Sequence, residues 1–276
     1  MTSRLSVTAA LSLAQQQGLP RGEAQYLLQA LLGQSRAWLI QHDDALLSPE
    51  QSAQLQDWLQ QRLDAVPLAY LQGHKEFYGL KLRVTRDTLV PRPDTEVLVA
   101  WALECLQPLQ APCAADLGTG SGAIALAIKS QRPDATVHAT DLSPAALAVA
   151  QSNAQALGLP LHTHPGSWWG ALPAALRLQL AVSNPPYIRG DDPHLAALRH
   201  EPRQALTPEG DGLADLRTLV QQAPAHLLPG AWLLLEHGYD QGPAVAELLR
   251  LRGFEQVQTR QDLAGTDRCS GGRWPG

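Results

Sequence analysis

The sequence predicts an α/β protein: a Rossmann-like, mostly parallel sheet, preceded by a small helical bundle and joined to it by a β-hairpin. Three observations predict it. Apolar residues recur at helical spacing through roughly the first 65 residues. From residue 114 onward, short β-prone runs alternate with helical ones, the pattern of a parallel sheet covered on both faces. The chain has 276 residues, 45% hydrophobic and 17% charged, enough for two domains with real cores and too apolar for disorder.

The elements follow in order. Ala24, Leu27, Leu28, Leu31 and Leu32 share one helical face, between Gly22 and Gly33. Ser48, Pro49 and Gln51 form a second helix start, with Ser48 as cap, Pro49 in the first turn and Gln51 in the reciprocal capping position. Leu55, Trp58, Leu59, Leu63 and Val66 continue its stripe. Residues 76–78 and 80–85 flank Gly79 with β-prone residues and predict the hairpin. Pro91 and Pro93 stop it, and the acids Asp94 and Glu96 stand at the positive end of a helix over 97–106. Strands are expected over 114–117, 136–141, 180–183, 231–236 and 255–260, with helices over 123–131, 144–157, 213–227 and 243–251. The domain boundaries read from this order are 1–73 for the helical part, 74–92 for the hairpin linker and 93–276 for the sheet domain.

Composition narrows function. Lys and Arg number 21 against 26 Asp and Glu, a formal net charge of −5, which disfavours a surface built to grip phosphate backbones. No apolar run reaches the length of a spanning helix, and residues 1–13 show no secretory pattern, so a cytoplasmic protein is expected. Cys105, Cys113 and Cys269 are odd in number and widely spaced, suggesting neither disulfides nor a zinc knuckle. His162 and His164 lack acidic or cysteine partners nearby, and no metal is expected.

Two loops carry the chemistry. Asp116-Leu117-Gly118-Thr119-Gly120-Ser121-Gly122 falls where the first sheet strand turns into a helix, and its glycines let the backbone approach a ligand. The lysine of a phosphate-binding P-loop is absent. Asp141 ends the next strand 19 residues beyond Gly122, where a carboxylate accepts hydrogen bonds from both hydroxyls of a ribose. An acid at the end of the first strand, Asp116, would face a ligand ammonium group and repel a pyrophosphate. That favours S-adenosylmethionine over a dinucleotide. The second loop, Asn184-Pro185-Pro186-Tyr187, follows the strand over 180–183. Its prolines remove two donors and leave carbonyl oxygens facing outward. The Asn184 amide oxygen and the Pro185 carbonyl are expected to accept both hydrogens of a planar NH₂ group, with the Tyr187 ring packed on that group. An amide nitrogen is a poor nucleophile; two aimed acceptors favour the cationic nitrogen of the transition state, and no general base is needed.

These residues resemble the protein-(glutamine-N5) methyltransferases that modify class I peptide chain release factors, the PrmC/HemK family. The likeness extends to Leu68-Ala69-Tyr70-Leu71, Glu76-Phe77-Tyr78-Gly79, Val90-Pro91-Arg92-Pro93-Asp94-Thr95-Glu96, Glu201-Pro202-Arg203 and Asp262-Leu263-Ala264-Gly265. Asn-Pro-Pro-Tyr alone is shared with adenine N6 methyltransferases; the Pro-Arg-Pro-Asp-Thr-Glu segment and the helical start are more specific. The resemblance implies methyl transfer from S-adenosylmethionine to the glutamine side chain of a Gly-Gly-Gln loop, an event in translation termination, with the helical domain helping to dock the release factor. It implies Gly118, Thr119, Gly120, Ser121, Gly122, Asp141, Trp168 and Asn184 at the cofactor. Asn184, Pro185, Pro186 and Tyr187 are implied at the substrate, with Asn184, Pro185 and Tyr187 catalytic. One departure stands out: this chain has Ser167-Trp168-Trp169 where the family shows an acid before the tryptophan.

Rival readings fit less well. An adenine methyltransferase would bring a basic groove. An idle scaffold would show an eroded glycine loop or a missing Asn184, and a nicotinamide dehydrogenase gives Asn184 to Tyr187 no role. The expected partner is therefore a release factor, with no direct nucleic acid, no membrane and nothing requiring more than a monomer. Glu201 and Arg203 are expected to have a structural role, Arg92 is explained as well by a fold-supporting contact to the cofactor crevice as by catalysis, and His237 is expected to have no catalytic part.

Overall fold

The computed structural model describes residues 4–276; residues 1–3, with which the N-terminal reading begins, lie outside the described residues. By its internal contacts the chain divides into two units, Met1–Gly73 and His74–Gly276.

The first unit is all helical: α1 (Val7–Gln16), α2 (Arg21–Leu32), α3 (Arg36–Gln41), α4 (Pro49–Leu63) and α5 (Leu68–Gln72). Ser6, Ser35 and Ser48 each cap a helix by accepting from a backbone N–H three residues on, and Ser48 with Gln51 completes a capping box. Val7, Ala10, Leu27, Leu28, Leu55 and Leu59 close the core. Arg62 ties α4 to α2 through Glu23 at 2.5 Å and reaches the Val66 carbonyl at 2.6 Å.

The second unit opens with the hairpin, β1 (His74–Phe77) paired antiparallel with β2 (Leu80–Arg83). The Tyr78 amide donates to Glu96 at the start of α6 (Glu96–Leu106), so the hairpin is pinned to this unit. There follow β3 (Cys113–Leu117), α7 (Ala123–Gln131), β4 (Thr136–Asp141), α8 (Pro144–Leu157), β5 (His162–Pro165), β6 (Leu178–Ser183), α9 (Ala214–Gln222), β7 (Leu227–Glu236), α10 (Gly242–Arg252), β8 (Glu255–Gln261) and β9 (Asp267–Arg273). The sheet runs β5-β4-β3-β6-β7-β9-β8, parallel through β7, with β9 antiparallel to both neighbours. One apolar core lies between the sheet and α6 and α7, the other between the sheet and α9 and α10.

Several elements depart from the sequence expectation. Two strands were not foreseen: β5 is short and reads His-Thr-His-Pro, and β9 reads Asp-Arg-Cys-Ser-Gly-Gly-Arg, without apolar alternation. In β9 the missing side chains are the point, because a Cβ on Gly271 would stand 2.5 Å from Leu234 and 2.8 Å from the Leu233 carbonyl. The helix expected over 213–227 stops at Gln222, gives way to a short turn at Ala223–Ala225 containing Pro224, and β7 then begins at Leu227 rather than 231.

The strand order reverses at β3. Connections from β3 run outward through β4 to β5, then return across to β6 and β7, so the carboxyl ends of β3 and β6 flank a crevice. Ligands bind at this position in open α/β sheets.

Candidate functional site

The crevice holds a cavity of about 240 Å³, lined from several elements of the second unit. Gly118, Thr119, Gly120 and Ser121 come from the loop after β3, Asp141 from the end of β4, Ser167 and Trp168 from the turn after β5, and Asn184 and Pro186 from the loop after β6. The glycine loop and Asn184 thus open on one space. Gly122 is not among the lining residues; it caps the start of α7 with φ 84°.

The loop's shape follows from its hydrogen bonds. The Gly118 and Thr119 amides both donate to the Thr140 carbonyl, at 2.9 and 2.8 Å. Asp116 Oδ2 accepts from the Thr119 hydroxyl at 2.6 Å and from the Ala125 amide in the first turn of α7 at 3.2 Å. This corrects the expectation that Asp116 faces a ligand: it is wholly buried, lies outside the cavity lining and holds the loop from beneath. Among the described residues its Oδ1 has no partner, and burial pushes its carboxyl up to about 7.

Asp141 faces the cavity. Its Oδ2 accepts from the Gly120 amide and its Oδ1 from the Ser143 amide, each at 2.8 Å. Each oxygen keeps a lone pair for a further donor. Burial raises its pKa, opposed by those two amides.

The indole of Trp168 lies across Gly118, where a Cβ would stand 2.7 Å from the ring. Gly118 has φ 78°, so both its conformation and the ring's approach exclude a side chain. Trp168 itself sits at φ 47°, an uncommon conformation for a large side chain, and burial shifts the carboxyl of Asp215, which lines the same cavity, upward against the opposing influence of Trp168. Its neighbour Trp169 is core: 1% exposed, with Nε1 donating to the Leu219 carbonyl at 3.0 Å. Of the pair, only Trp168 lines the cavity.

Asn184 donates from Nδ2 to the Thr95 hydroxyl at 3.3 Å, leaving Oδ1 unused by that contact. The preceding Ser183 hydroxyl donates to the Leu117 carbonyl at 2.6 Å and ties the two strand ends together. Pro185 and Tyr187 do not line the cavity. The Tyr187 ring packs into the core under α9 and α10, and its hydroxyl donates to Glu236 at 3.3 Å. In this structure it is a support behind the loop rather than a cover over a substrate, and burial pushes its pKa well up.

Arg92 lines the cavity and pairs with Glu201, whose other oxygen accepts from the Val90 amide at 3.0 Å. Glu201 is buried, so this pair fastens the segment 90–92 to the cavity wall. Arg203 pairs with Glu209 in the open at 2.8 Å. His237 is buried, with Nδ1 at the Gly238 carbonyl and Nε2 at the Ser270 hydroxyl, both 2.8 Å. His138 Nδ1 meets His164 Nε2 at 2.8 Å, and burial with the nearby imidazoles lowers His138 to about 4.

Sequence reasoning missed Asp215 as a cavity residue, along with Thr95, Pro202 and Gln204. Thr95 and Pro202 lay within quoted family segments, which was a signal without an assigned role. Asp215 offered only a polar residue in a helix's first turn.

The residues present fit S-adenosylmethionine. Asp141 offers acceptors for ribose hydroxyls, Trp168 an aromatic face, and the loop over 118–121 a backbone that a side chain on Gly118 would close. Comparison with known proteins gives the same class of protein. Residues 95–234 match the methyltransferase small domain family, and residues 6–73 the PrmC N-terminal domain. A methyltransferase structure from Pyrococcus furiosus superposes with TM-score 0.54 at 18% identity, covering 78% of this chain and 98% of that one. Fold and site together define an S-adenosylmethionine-dependent methyltransferase.

Two curated relatives go further. The release factor glutamine methyltransferase of Bordetella pertussis is 52% identical over 257 residues, covering 92% of this chain and 95% of its own. That of Burkholderia pseudomallei is 47% identical over 283 residues, covering 100% and 99%. The chain belongs to the release factor glutamine methyltransferase family.

Proposed function

We propose that the protein transfers a methyl group from S-adenosylmethionine to the side-chain amide nitrogen of the glutamine in the Gly-Gly-Gln loop of class I peptide chain release factors. One observation carries the reading: the Asn184 amide and the glycine loop with Asp141 open on the same cavity at the switch point of the sheet. The cofactor supplies an electrophilic methyl on a sulfonium.

The chain's own residues supply position and charge. Asp141 and the loop over 118–121 hold the ribose and the methionyl part, and Trp168 offers its face to the adenine, with Ser167 and Asp215 as the nearby polar groups. Asn184 Oδ1 accepts from the substrate NH₂ and holds the nitrogen in place. As the nitrogen becomes cationic, its N–H groups become stronger donors and this contact tightens, which lowers the barrier more than it stabilises the ground state. Pro186 lines the cavity and stiffens the loop, while Pro185, outside the lining, presents no acceptor there. Tyr187 acts from behind, through its bond to Glu236.

The same reading extends to setting. The helical unit helps dock the release factor, and the protein works as a cytoplasmic monomer that does not grip nucleic acid directly, supported by its net charge of −5. No helix among the described residues is long and apolar enough to cross a membrane.

The test is mass spectrometry of a class I release factor incubated with the purified protein and S-adenosylmethionine. One added methyl group is expected on the Gly-Gly-Gln peptide, and none on a factor whose glutamine is replaced. Methylation of adenine in nucleic acid under the same conditions, with the release factor left unmodified, would overturn it.

A further inference from the structure

We infer that Gln241 is a positioning residue for the reaction loop: its side-chain amide clamps the Tyr187 carbonyl to the turn after β7 and so fixes where Asn184, in the same loop, presents its Oδ1. The inference rests on the role given to Asn184 above.

The loop over 184–187 is hard to hold from within. A proline has no backbone N–H, so Pro185 and Pro186 donate no bond that would fasten the middle of the loop. Its place is set at its two ends. At the near end the Ser183 hydroxyl donates to the Leu117 carbonyl at 2.6 Å. At the far end the amides of Tyr187 and Ile188 both donate to the Leu206 carbonyl, at 3.2 and 3.0 Å, and the Tyr187 carbonyl accepts from Gln241 Nε2 at 3.0 Å. The rings lock φ at both prolines, which leaves the backbone between the ends few soft torsions. A shift of Tyr187 is therefore passed on to Asn184 instead of being absorbed.

Gln241 suits the task because its amide fits only one way round. Its Oε1 accepts from the Gly238 amide at 2.8 Å. A backbone N–H only donates and a carbonyl only accepts, so turning the amide over would set donor against donor at Gly238 and acceptor against acceptor at Tyr187. The backbone of Gln241 is fixed as well: its N–H donates to the Gly238 carbonyl at 2.9 Å, and its carbonyl accepts from the Val245 amide of α10 at 3.0 Å. The residue is buried, where removing the donor leaves the Tyr187 carbonyl short of a partner. The contact is also tightly packed from the side. A Cβ on Gly212 would stand 2.4 Å from the Tyr187 carbonyl oxygen and 2.9 Å from Gln241 Nε2. Gln241 does not line the cavity, so it acts on the reaction only through the loop.

Loss of the clamp should be felt in transfer and not in cofactor binding. Asp141 and the loop over 118–121 make none of these bonds, whereas a misplacement of about 1 Å at a reacting centre costs about a hundredfold in rate.

The experiment measures kcat and both KM values for the full chain with release factor and S-adenosylmethionine, for wild type, Gln241→Met and Gln241→Glu, with cofactor affinity by calorimetry. Methionine is similar in length and offers no amide. Gln241→Met is expected to lower kcat about tenfold or more with both KM values and cofactor affinity nearly unchanged. Glutamate keeps an acceptor for Gly238 but has a donor for Tyr187 only while it is protonated. Asp240 lies beside Gly238, Asp267 and His237 lie beside Gly242, and burial lowers the pKa of His237, which stays neutral. Burial and the two acids keep the introduced carboxyl protonated to higher pH than in water. The ratio of Gln241→Glu kcat to wild-type kcat should therefore rise severalfold or more as pH falls from about 8.5 to about 5.5. A defect of folding alone would depress that ratio at every pH. In parallel, the Asn184 side-chain NH₂ resonances, identified by their loss in Asn184→Ala, should move in Gln241→Met with no ligand present.

A Gln241→Met enzyme with wild-type kcat, a Gln241→Glu ratio that is flat or falls toward acid, or a cofactor affinity that drops in step with kcat would each overturn the inference. If Gln241→Met fails to fold, the pH course of Gln241→Glu decides it. A wild-type protein that methylates no release factor would instead defeat the proposed function, and the Asn184 resonances would still test the clamp.

Discussion

Asn184 concentrates the proposed chemistry in one oxygen. Replacing it with alanine removes the acceptor but touches none of the bonds that shape the glycine loop. We therefore expect Asn184→Ala to abolish methyl transfer while calorimetry shows cofactor affinity nearly unchanged; parallel loss of both would place the residue in the cofactor pocket or the fold. Asp141 is the converse case. Its charged hydrogen bonds to ribose are worth about 1.5 to 3 kcal/mol, so Asp141→Ala should weaken cofactor binding roughly 10- to 150-fold by the same titration. An unchanged dissociation constant would remove it from the site. At this scale the sequence was informative where chemistry demands a residue type. Asn184, Asp141 and Trp168 sit at the cavity, whereas Asp116 is buried beneath the loop and Tyr187 lies outside the cavity lining. A motif reports that a residue is needed, but which way its side chain turns depends on neighbours far along the chain, here Glu236 for Tyr187 and Ala125 for Asp116.

At the scale of elements, the loop after β3 is held by four residues: Thr140, Asp116, Asp141 and the Trp168 ring. Gly118→Ala meets both a left-handed backbone, costing about 1 to 2 kcal/mol, and a ring 2.7 Å from the new methyl. The variant should melt at lower temperature than wild type and bind the cofactor more weakly, as thermal unfolding and calorimetry would show; wild-type values in both would mean that the ring moves aside freely. The parallel strands and their helices were legible because burial on two faces leaves continuous apolar runs and amphipathic stripes. β5 and β9 were not, for physical reasons. β5 is four residues at the sheet's edge, all of them polar or proline, and β9 replaces side-chain volume with Gly271 and Gly272 so that Leu234 and Phe254 can fill the space.

For the whole molecule, buried carboxyls make stability depend on pH. Asp116 titrates near 3.9 when unfolded and at about 7 when folded. The folded state thus holds a proton that the unfolded state has lost between those values. Its contribution is fully present below about pH 4, declines by at most about 1.4 kcal/mol per pH unit as pH rises, and is lost above about 7. Asp116→Asn, which keeps an acceptor for Thr119 without the charge, should gain stability relative to wild type from pH 5 to 7 and level off above, by denaturant titration at each pH. A difference that stays constant across that range would show Asp116 ionised throughout. Domain order and family were legible in the sequence because Pro91 to Glu96 and the glycine loop are local signals. The contact of Asn184 with Thr95 was not, since it joins two segments separated by 89 residues. The account as a whole turns on where one oxygen points. A crystal structure of the protein with S-adenosylmethionine and a release factor bearing Gly-Gly-Gln measures it directly: the glutamine nitrogen should lie within hydrogen-bonding distance of Asn184 Oδ1, with the sulfonium methyl on its open face. A complex in which Oδ1 turns to Thr95 and the glutamine nitrogen is held by other groups would contradict it.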